Sequence, residues 1–192
     1  HEFKVKRCIS CLSTCIFPDN ISYPIDESML HDGPPHNSND SYAYSKRMLD
    51  VQSKAYRDNH GDDFRCIIPT NIYGTHDNYN LQNAHVIPAL IHKCYLSKKN
   101  NEPFKVCGTG KPLRQFIFAD DLAYLILRTV ETDESFSNII LSVPENDEIS
   151  IADVARKIAR CFDYEHMIAF DNTYSDGQYK KTVDNSTLTR YI

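Results

Sequence analysis

The sequence predicts an α/β fold with a largely parallel sheet. Two observations carry this: short apolar runs alternate with stretches of helical periodicity, and Gly, Pro and Asn clusters punctuate them. Residues Cys8 to Leu12 form the first apolar run, which suits a buried parallel strand and ends at Ser13-Thr14-Cys15. Residues 18–41, with Pro18, Pro24, Gly33, Pro34 and Pro35, are loop-like. A helix is expected from Tyr42 to His60, with Met48, Leu49, Val51, Ala55 and Tyr56 as its apolar side and Gly61 as its stop. Phe64 to Ile68 is a second buried strand closed by Pro69, and His85 to Lys98 a helix through Val86, Ile87, Leu90, Ile91 and Cys94. Short strands follow at 104–106 and 115–118, then an apolar helix at 120–130 and a strand at 139–143. Ser150, with Asp153 three residues on, is close to a capping box and opens a helix through Val154, Ile158 and Phe162.

Composition narrows the function classes. With 192 residues the chain has enough length for one well-buried core and little for two. Lys plus Arg number 21 against 26 Asp plus Glu, a net charge of −5, and no basic block is present; nucleic acid and membrane surfaces are not expected partners. No run of 18 apolar residues and no signal-like apolar core occur, so a soluble, cytoplasmic protein is expected. The seven cysteines lack small-scaffold spacing, and Cys8-x-x-Cys11 has no second pair, so reduced thiols and no metal are expected. The sequons at Asn20, Asn39 and Asn185 then count as chance matches.

The chemistry begins at Tyr42-Ala43-Tyr44-Ser45-Lys46. On a helix, Tyr42 and Lys46 lie one turn apart on the same face. An ammonium near a phenol favours the phenolate, which suits the phenol to protonate a carbonyl oxygen as hydride reaches the carbon. Tyr44 is a rival in register, but Met48 stands where its lysine would be. Ser13, at the end of the first apolar run, completes a set that resembles the carbonyl-reducing constellation of the short-chain dehydrogenase/reductase family. Such a reductase needs a glycine-rich turn after its first strand for the cofactor pyrophosphate. The nearest match, Gly108-Thr109-Gly110, lies late, does not open a helix, and has Leu113 where a third glycine belongs. The chain therefore reads as a fragment without the N-terminal nucleotide-binding half.

Further motifs sharpen the resemblance. Ser13 to Pro18, Tyr42 to Lys46, Pro69-Thr70-Asn71-Ile72-Tyr73-Gly74 with His76-Asp77-Asn78, His85 to Pro88, and Gly108-Thr109-Gly110 with Arg114 fall in one order. Together they resemble the GDP-L-fucose synthase family, extended short-chain dehydrogenases/reductases that use NADP(H). The resemblance covers essentially the whole chain and implies a partial Rossmann-like parallel sheet with a smaller C-terminal α/β substrate-binding part. It implies residues 1–80 as the C-terminal portion of an NADP-binding domain, and 81–192 as mainly substrate-binding with segments returning to the sheet. The implied reaction is 3,5-epimerisation and 4-reduction of the nucleotide sugar GDP-4-keto-6-deoxy-D-mannose by NADPH, in a homodimer when full-length. Another nucleotide-sugar epimerase or dehydratase, or a truncated non-catalytic paralogue, are the alternatives; a dehydratase would be expected to carry an acidic pair where Thr14-Cys15 stands.

Epimerisation beside a ketone needs two acid/base groups that titrate near neutrality, and thiol and imidazole are the side chains that do so without large tuning. On a strand, Ser13 and Cys15 would point to one side. The resemblance makes Cys15 and His85 the acid/base pair, with His76 second to either. From the residues alone, Cys15 also suits a small buried hydrophobe, as Cys8, Cys11 and Cys66 are read, and His85 suits a helix-terminal residue bonding backbone. Ser13 alone suits a loop serine, and Lys46 a solvated one. By resemblance Ser13, Tyr42 and Lys46 act at the ketone, while Cys11, Leu12, Ser13, Thr14, Tyr42, Lys46, Pro69, Thr70, Asn71, Ile72 and His85 line the cofactor. Lys93, Cys107, Arg114, Asp176 and Lys181 contact the nucleotide sugar, with Arg114 at the diphosphate. Cys107 departs from the tryptophan usual in the family.

Overall fold

The structure, a computed structural model, describes residues 2–192. Its elements in chain order are β1 (Arg7–Cys11), α1 (Asp40–His60), β2 (Asp63–Pro69), β3 (Asn71–Tyr73), α2 (Val86–Asn100), β4 (Phe104–Cys107), β5 (Leu113–Arg114) and β6 (Phe116–Phe118). They continue with α3 (Ala119–Glu131), β7 (Asn138–Leu141), β8 (Ile149–Ser150), α4 (Ile151–Cys161), β9 (Ile168–Asp171) and α5 (Ser186–Tyr191). The α/β class with parallel strands is as the sequence predicts. Single 3-10 turns at Thr14–Ile16, Glu27–His31 and Asn37–Asn39 interrupt the loop-like stretch before α1.

The chain forms two compact units that exchange it repeatedly: residues 1–72, 115–146 and 182–192 in the first, 73–114 and 147–181 in the second. In the first, β1, β2 and β7 form a parallel sheet in that order. Alternation along β2 and β7 gives the sheet two apolar faces. Cys66, Ile68 and Ile140 meet Leu12, Ile16, Phe17, Ile25, Leu30 and Val183 on one side. Ile67, Ile139 and Leu141 meet Ile117, Leu122 and Leu188 on the other. The third stretch is tied in by Gln115, only 1% exposed. Its side-chain N–H groups donate to the carbonyls of Val143 at 2.9 Å and Val183 at 3.3 Å, and its Oε1 accepts from the Val183 N–H at 2.8 Å.

In the second unit β4 pairs in parallel with β9 and β5 antiparallel with β8. Ser150 caps α4 as the sequence predicts, its Oγ accepting from the Asp153 N–H at 3.0 Å and donating to the Asp153 carboxylate at 2.6 Å. Gly110 has φ +74°, and a Cβ there would lie 2.5 Å from the Phe170 ring and 2.9 Å from Ala152 Cβ. Only glycine fits that combination of backbone and packing.

Three expectations need correction. The buried face of α1 is Ala43, Arg47, Asp50 and Ser53, whereas Met48 is 60% exposed and Val51 and Ala55 face outward; Leu49 and Tyr56 are half-buried. The buried polar groups have partners that sequence hides: Asp50 with His31 Nε2 at 2.8 Å, and Ser53 Oγ with the Cys66 thiol at 3.6 Å. Second, Ser13 and Cys15 lie beyond the end of β1, so alternation along a strand does not relate them; the Thr14–Ile16 turn does. Third, of the cysteines read as buried, only Cys66 is; Cys11 is exposed and Cys8 half-buried. Burial pushes the Cys66 thiol up to about 11, the behaviour of a packing residue.

The Gln115 amide yields a stability test. Replacing it by leucine strands the Val183 N–H in a dry interior, together with two carbonyls. Gln115→Leu is expected to lower the unfolding free energy by on the order of 3 kcal/mol, read as a shift in the urea midpoint.

Candidate active site

In the first unit the sequence-derived residues gather where β1 ends. The Leu12 N–H donates to the Ile67 carbonyl at 2.8 Å, and the Leu12 side chain enters the core, leaving only its backbone for a ligand. Ser13 then caps the Thr14–Ile16 turn, its Oγ accepting from the Cys15 N–H at 3.4 Å. Ser13, Thr14 and Cys15 are all half-buried, as a reactive group shielded yet reachable must be. From α1, Lys46 Nζ donates to the Cys11 carbonyl at 2.9 Å and lies 5.8 Å from the centre of the Tyr42 ring. The spacing of four residues thus does what the helical period requires. Tyr42 is 47% exposed. Tyr44 takes a different neighbour, with the Arg47 guanidinium 5.6 Å from its ring centre.

The C-terminal end of β2 adds Pro69 to Ile72. The Thr70 N–H donates to the Leu141 carbonyl at 3.2 Å. Asn71 donates twice to the Gln115 carbonyl, from its backbone at 3.3 Å and its side chain at 2.9 Å. Ile72 is exposed, and the buried Thr70 hydroxyl has no hydrogen-bond partner. Ligands of parallel sheets bind beyond the carboxyl ends of strands.

The second unit holds the remaining candidates. His85 stands at the N-cap position of α2, where its carbonyl accepts from the Ala89 N–H at 2.9 Å. Its exposed side chain makes no capping hydrogen bond, so the backbone-bonding alternative does not apply. His76 sits in an exposed turn with φ +66°. Lys93 Nζ lies 3.4 Å from Cys107 Sγ, which brings together two residues expected at the nucleotide. Arg114 is held against backbone: its Nη1 donates to the Leu113 carbonyl and its Nη2 to the Gln178 carbonyl, each at 2.7 Å. Lys181 is half-buried beside Lys180, whose ammonium is 4.0 Å from Glu148.

Asp176, also expected at the nucleotide sugar, is paired within the chain. Its Oδ1 accepts from the Thr109 N–H and its Oδ2 from the Thr109 hydroxyl, both at 2.7 Å. A Cβ on Gly108, where φ is +80°, would lie 2.3 Å from Asp176 Oδ1. The Gly108-Thr109-Gly110 loop therefore presents its Thr109 amide to a carboxylate of this chain. Hydrogen bonds from the Thr109 hydroxyl and then its amide hold the Asp176 carboxyl below the usual carboxylate range. Thr109 was not singled out in the sequence; its signal was position alone, between two glycines.

Among the described residues no group of three or more His, Cys, Asp or Glu is placed to share a metal ion, and no helix is long and apolar enough to cross a membrane.

Comparisons with known proteins show the family. Residues 1–143 match the family described as the NAD dependent epimerase/dehydratase family. The chain is similar to GDP-L-fucose synthase of Dictyostelium discoideum, 57% identical over 191 residues covering 100% of this chain and 60% of that protein. It is similar also to a probable GDP-L-fucose synthase of Drosophila melanogaster, 46% identical over 199 residues covering 100% of this chain and 62% of that protein. Among solved structures, a GDP-L-fucose synthetase from Naegleria fowleri bound to NADP matches with a TM-score of 0.93 and 48% identity, over 98% of this chain and 60% of that one. The chain thus spans 60% and 62% of the length of these two curated relatives.

The depressed ionisation of Asp176 fixes the sign of a pH effect. A group whose folded value lies below its unfolded value stabilises above the unfolded value and loses that contribution as pH falls through the folded one. Protection of the Thr109 amide against hydrogen exchange, corrected for intrinsic rate, is expected to be full at neutral pH. It should drop as acid protonates Asp176, below the usual carboxylate range. Asp176→Asn is expected to abolish that pH step.

Proposed function

The chain belongs to the NAD dependent epimerase/dehydratase family, and on that premise we propose that it carries the reacting groups of an NADPH-dependent 3,5-epimerase/4-reductase acting on GDP-4-keto-6-deoxy-D-mannose to give GDP-L-fucose. The observation that supports this most is the cluster at the end of β1: Lys46 bonded to the Cys11 carbonyl beside Tyr42, and Ser13 bonded to the Cys15 amide. The NADP-bound relative and the two curated relatives point to the same chemistry.

The residues suit the cofactor proposed. At the end of β2 a buried hydroxyl without a partner, on Thr70, adjoins Asn71 and exposed Ile72, which suits a group bearing amide donors and acceptors. Cys11 to Thr14, Pro69 to Ile72, Tyr42, Lys46 and His85 are the residues that would hold it. NADPH, when bound, supplies the hydride for the C4 carbonyl carbon. Ser13 and Tyr42 hold the C4 oxygen, and Tyr42 gives that oxygen its proton. Lys46, fixed by the Cys11 carbonyl, stands with its ammonium 5.8 Å from the Tyr42 ring centre and helps to orient the phenol and the cofactor. Cys15 and His85 remove and return the acidic protons at C3 and C5. Lys93, Cys107, Arg114, Asp176 and Lys181 bind the nucleotide sugar, Asp176 also shaping the loop at Gly108 through Thr109. The protein acts as a cytoplasmic homodimer in this reading. Support for the dimer is the exposed stripe Tyr44, Met48 and Val51 on α1, at helical spacing; support for the compartment is seven free cysteines.

Solvent deuterium entering C3 and C5, scored beside reduction at C4, separates the two half-reactions in the active enzyme. Tyr42→Phe is expected to abolish reduction while deuterium still enters. Cys15→Ser and His85→Asn are expected to lower deuterium entry by roughly a hundredfold or more and to shift product toward sugars reduced without full inversion. Unchanged products from Cys15→Ser would make Cys15 a packing residue.

A further inference from the structure

Arg47 is 7% exposed, and both acceptors of its guanidinium are backbone carbonyls. Nε donates to Ile16 at 2.6 Å and Nη1 to Gly33 at 2.8 Å, while Nη2 has no partner. A guanidinium buried against carbonyls, with one nitrogen unsatisfied, carries a desolvation cost that makes stability alone a weak explanation for it. Burial accordingly pulls its ionisation below the ordinary arginine value.

Its place in the chain suggests another role. Arg47 follows Lys46, whose ammonium holds the Cys11 carbonyl. Arg47 holds the Ile16 carbonyl, at the far end of the Thr14–Ile16 turn. Two successive cationic residues of one helix therefore bracket residues 12–15, the segment that carries Ser13 and Cys15. The Gly33 contact fixes the returning loop against the same helix. We propose that Arg47 is a positioning residue that sets the placement of Cys15 relative to Tyr42, and that this bracket keeps the proton-transferring thiol in register with the carbonyl-reducing phenol. The inference deepens the function proposed above and rests on the role given there to Cys15. A lysine at position 47 keeps the charge but cannot present two donors in a fixed fork.

Two measurements on Arg47→Lys and Arg47→Met test it. In the chain itself, amide exchange across residues 13–17 is expected to quicken at least about tenfold in both variants, while exchange in β2 and β7 stays as in the wild type. In the active enzyme, kcat for deuterium entry at C3 and C5 is expected to fall about 10- to 100-fold, with KM for the nucleotide sugar unchanged. Unaltered exchange at residues 13–17 overturns the proposal. So does a loosened segment with intact deuterium entry, or global unfolding of both variants, because the role is then stability. A wild-type enzyme without deuterium entry would instead refute the epimerase reading, and the amide exchange would still report on the bracket.

Discussion

The first unit depends on the burial of one side-chain amide. Three separated stretches of chain have to share a single sheet and its two apolar faces, and Gln115 joins the second stretch to the third through Val143 and Val183. Hydrophobic contact alone would draw Val183 inward without fixing its register, because that attraction has no direction. The amide supplies the direction. Its backbone carbonyl meanwhile receives both donors of Asn71, so the same residue that anchors the returning stretch also fixes the chain just beyond β2.

The site shows how little side-chain chemistry is needed once the backbone is disposed correctly. Parallel strands end with carbonyls and amides that no further strand can satisfy, and several such groups beyond β1 are taken up by side chains. Lys46 takes the Cys11 carbonyl, Arg47 the Ile16 carbonyl, and Ser13 the Cys15 amide. These bonds are individually modest, yet together they fix the backbone from which Ser13 and Cys15 leave and the helix that carries Tyr42 and Lys46. In the second unit Asp176 does the comparable work for the loop at Gly108.

Much of the architecture was legible because local chemistry and tertiary need agreed. Gly61 ends α1, Ser150 caps α4, and the apolar run at 64–68 and residues 139–141 lie in the sheet. Periodicity failed where polar residues were buried with partners far away in sequence. The inward face of α1 is Arg47, Asp50 and Ser53, so hydrophobicity pointed to the opposite side. Two-residue strands β5 and β8 are too short to carry a period, β9 exposes its alanine, and α5 buries only Leu188. Of the site, the Tyr42–Lys46 pairing was visible as spacing on a helix. The turn that relates Ser13 to Cys15 and the carbonyl that holds Lys46 were not, since each depends on backbone atoms that every residue type possesses, and the Asp176–Thr109 contact joins positions 67 apart in sequence.

The interleaving of the two units has a consequence for the order of events during synthesis. Glu27 accepts a bond from the Thr187 hydroxyl, 160 positions later, and from the Ile140 N–H. Contacts of such separation are entropically costly to form and slow the search for the native state. While residues 147–181 emerge, the apolar surfaces awaiting Val183 and Leu188 stay uncovered, although the strands beneath them already exist. The core beneath the Thr14–Ile16 turn thus closes only when residues 182–192 are in place, and until then the sheet keeps an apolar face open to wrong association.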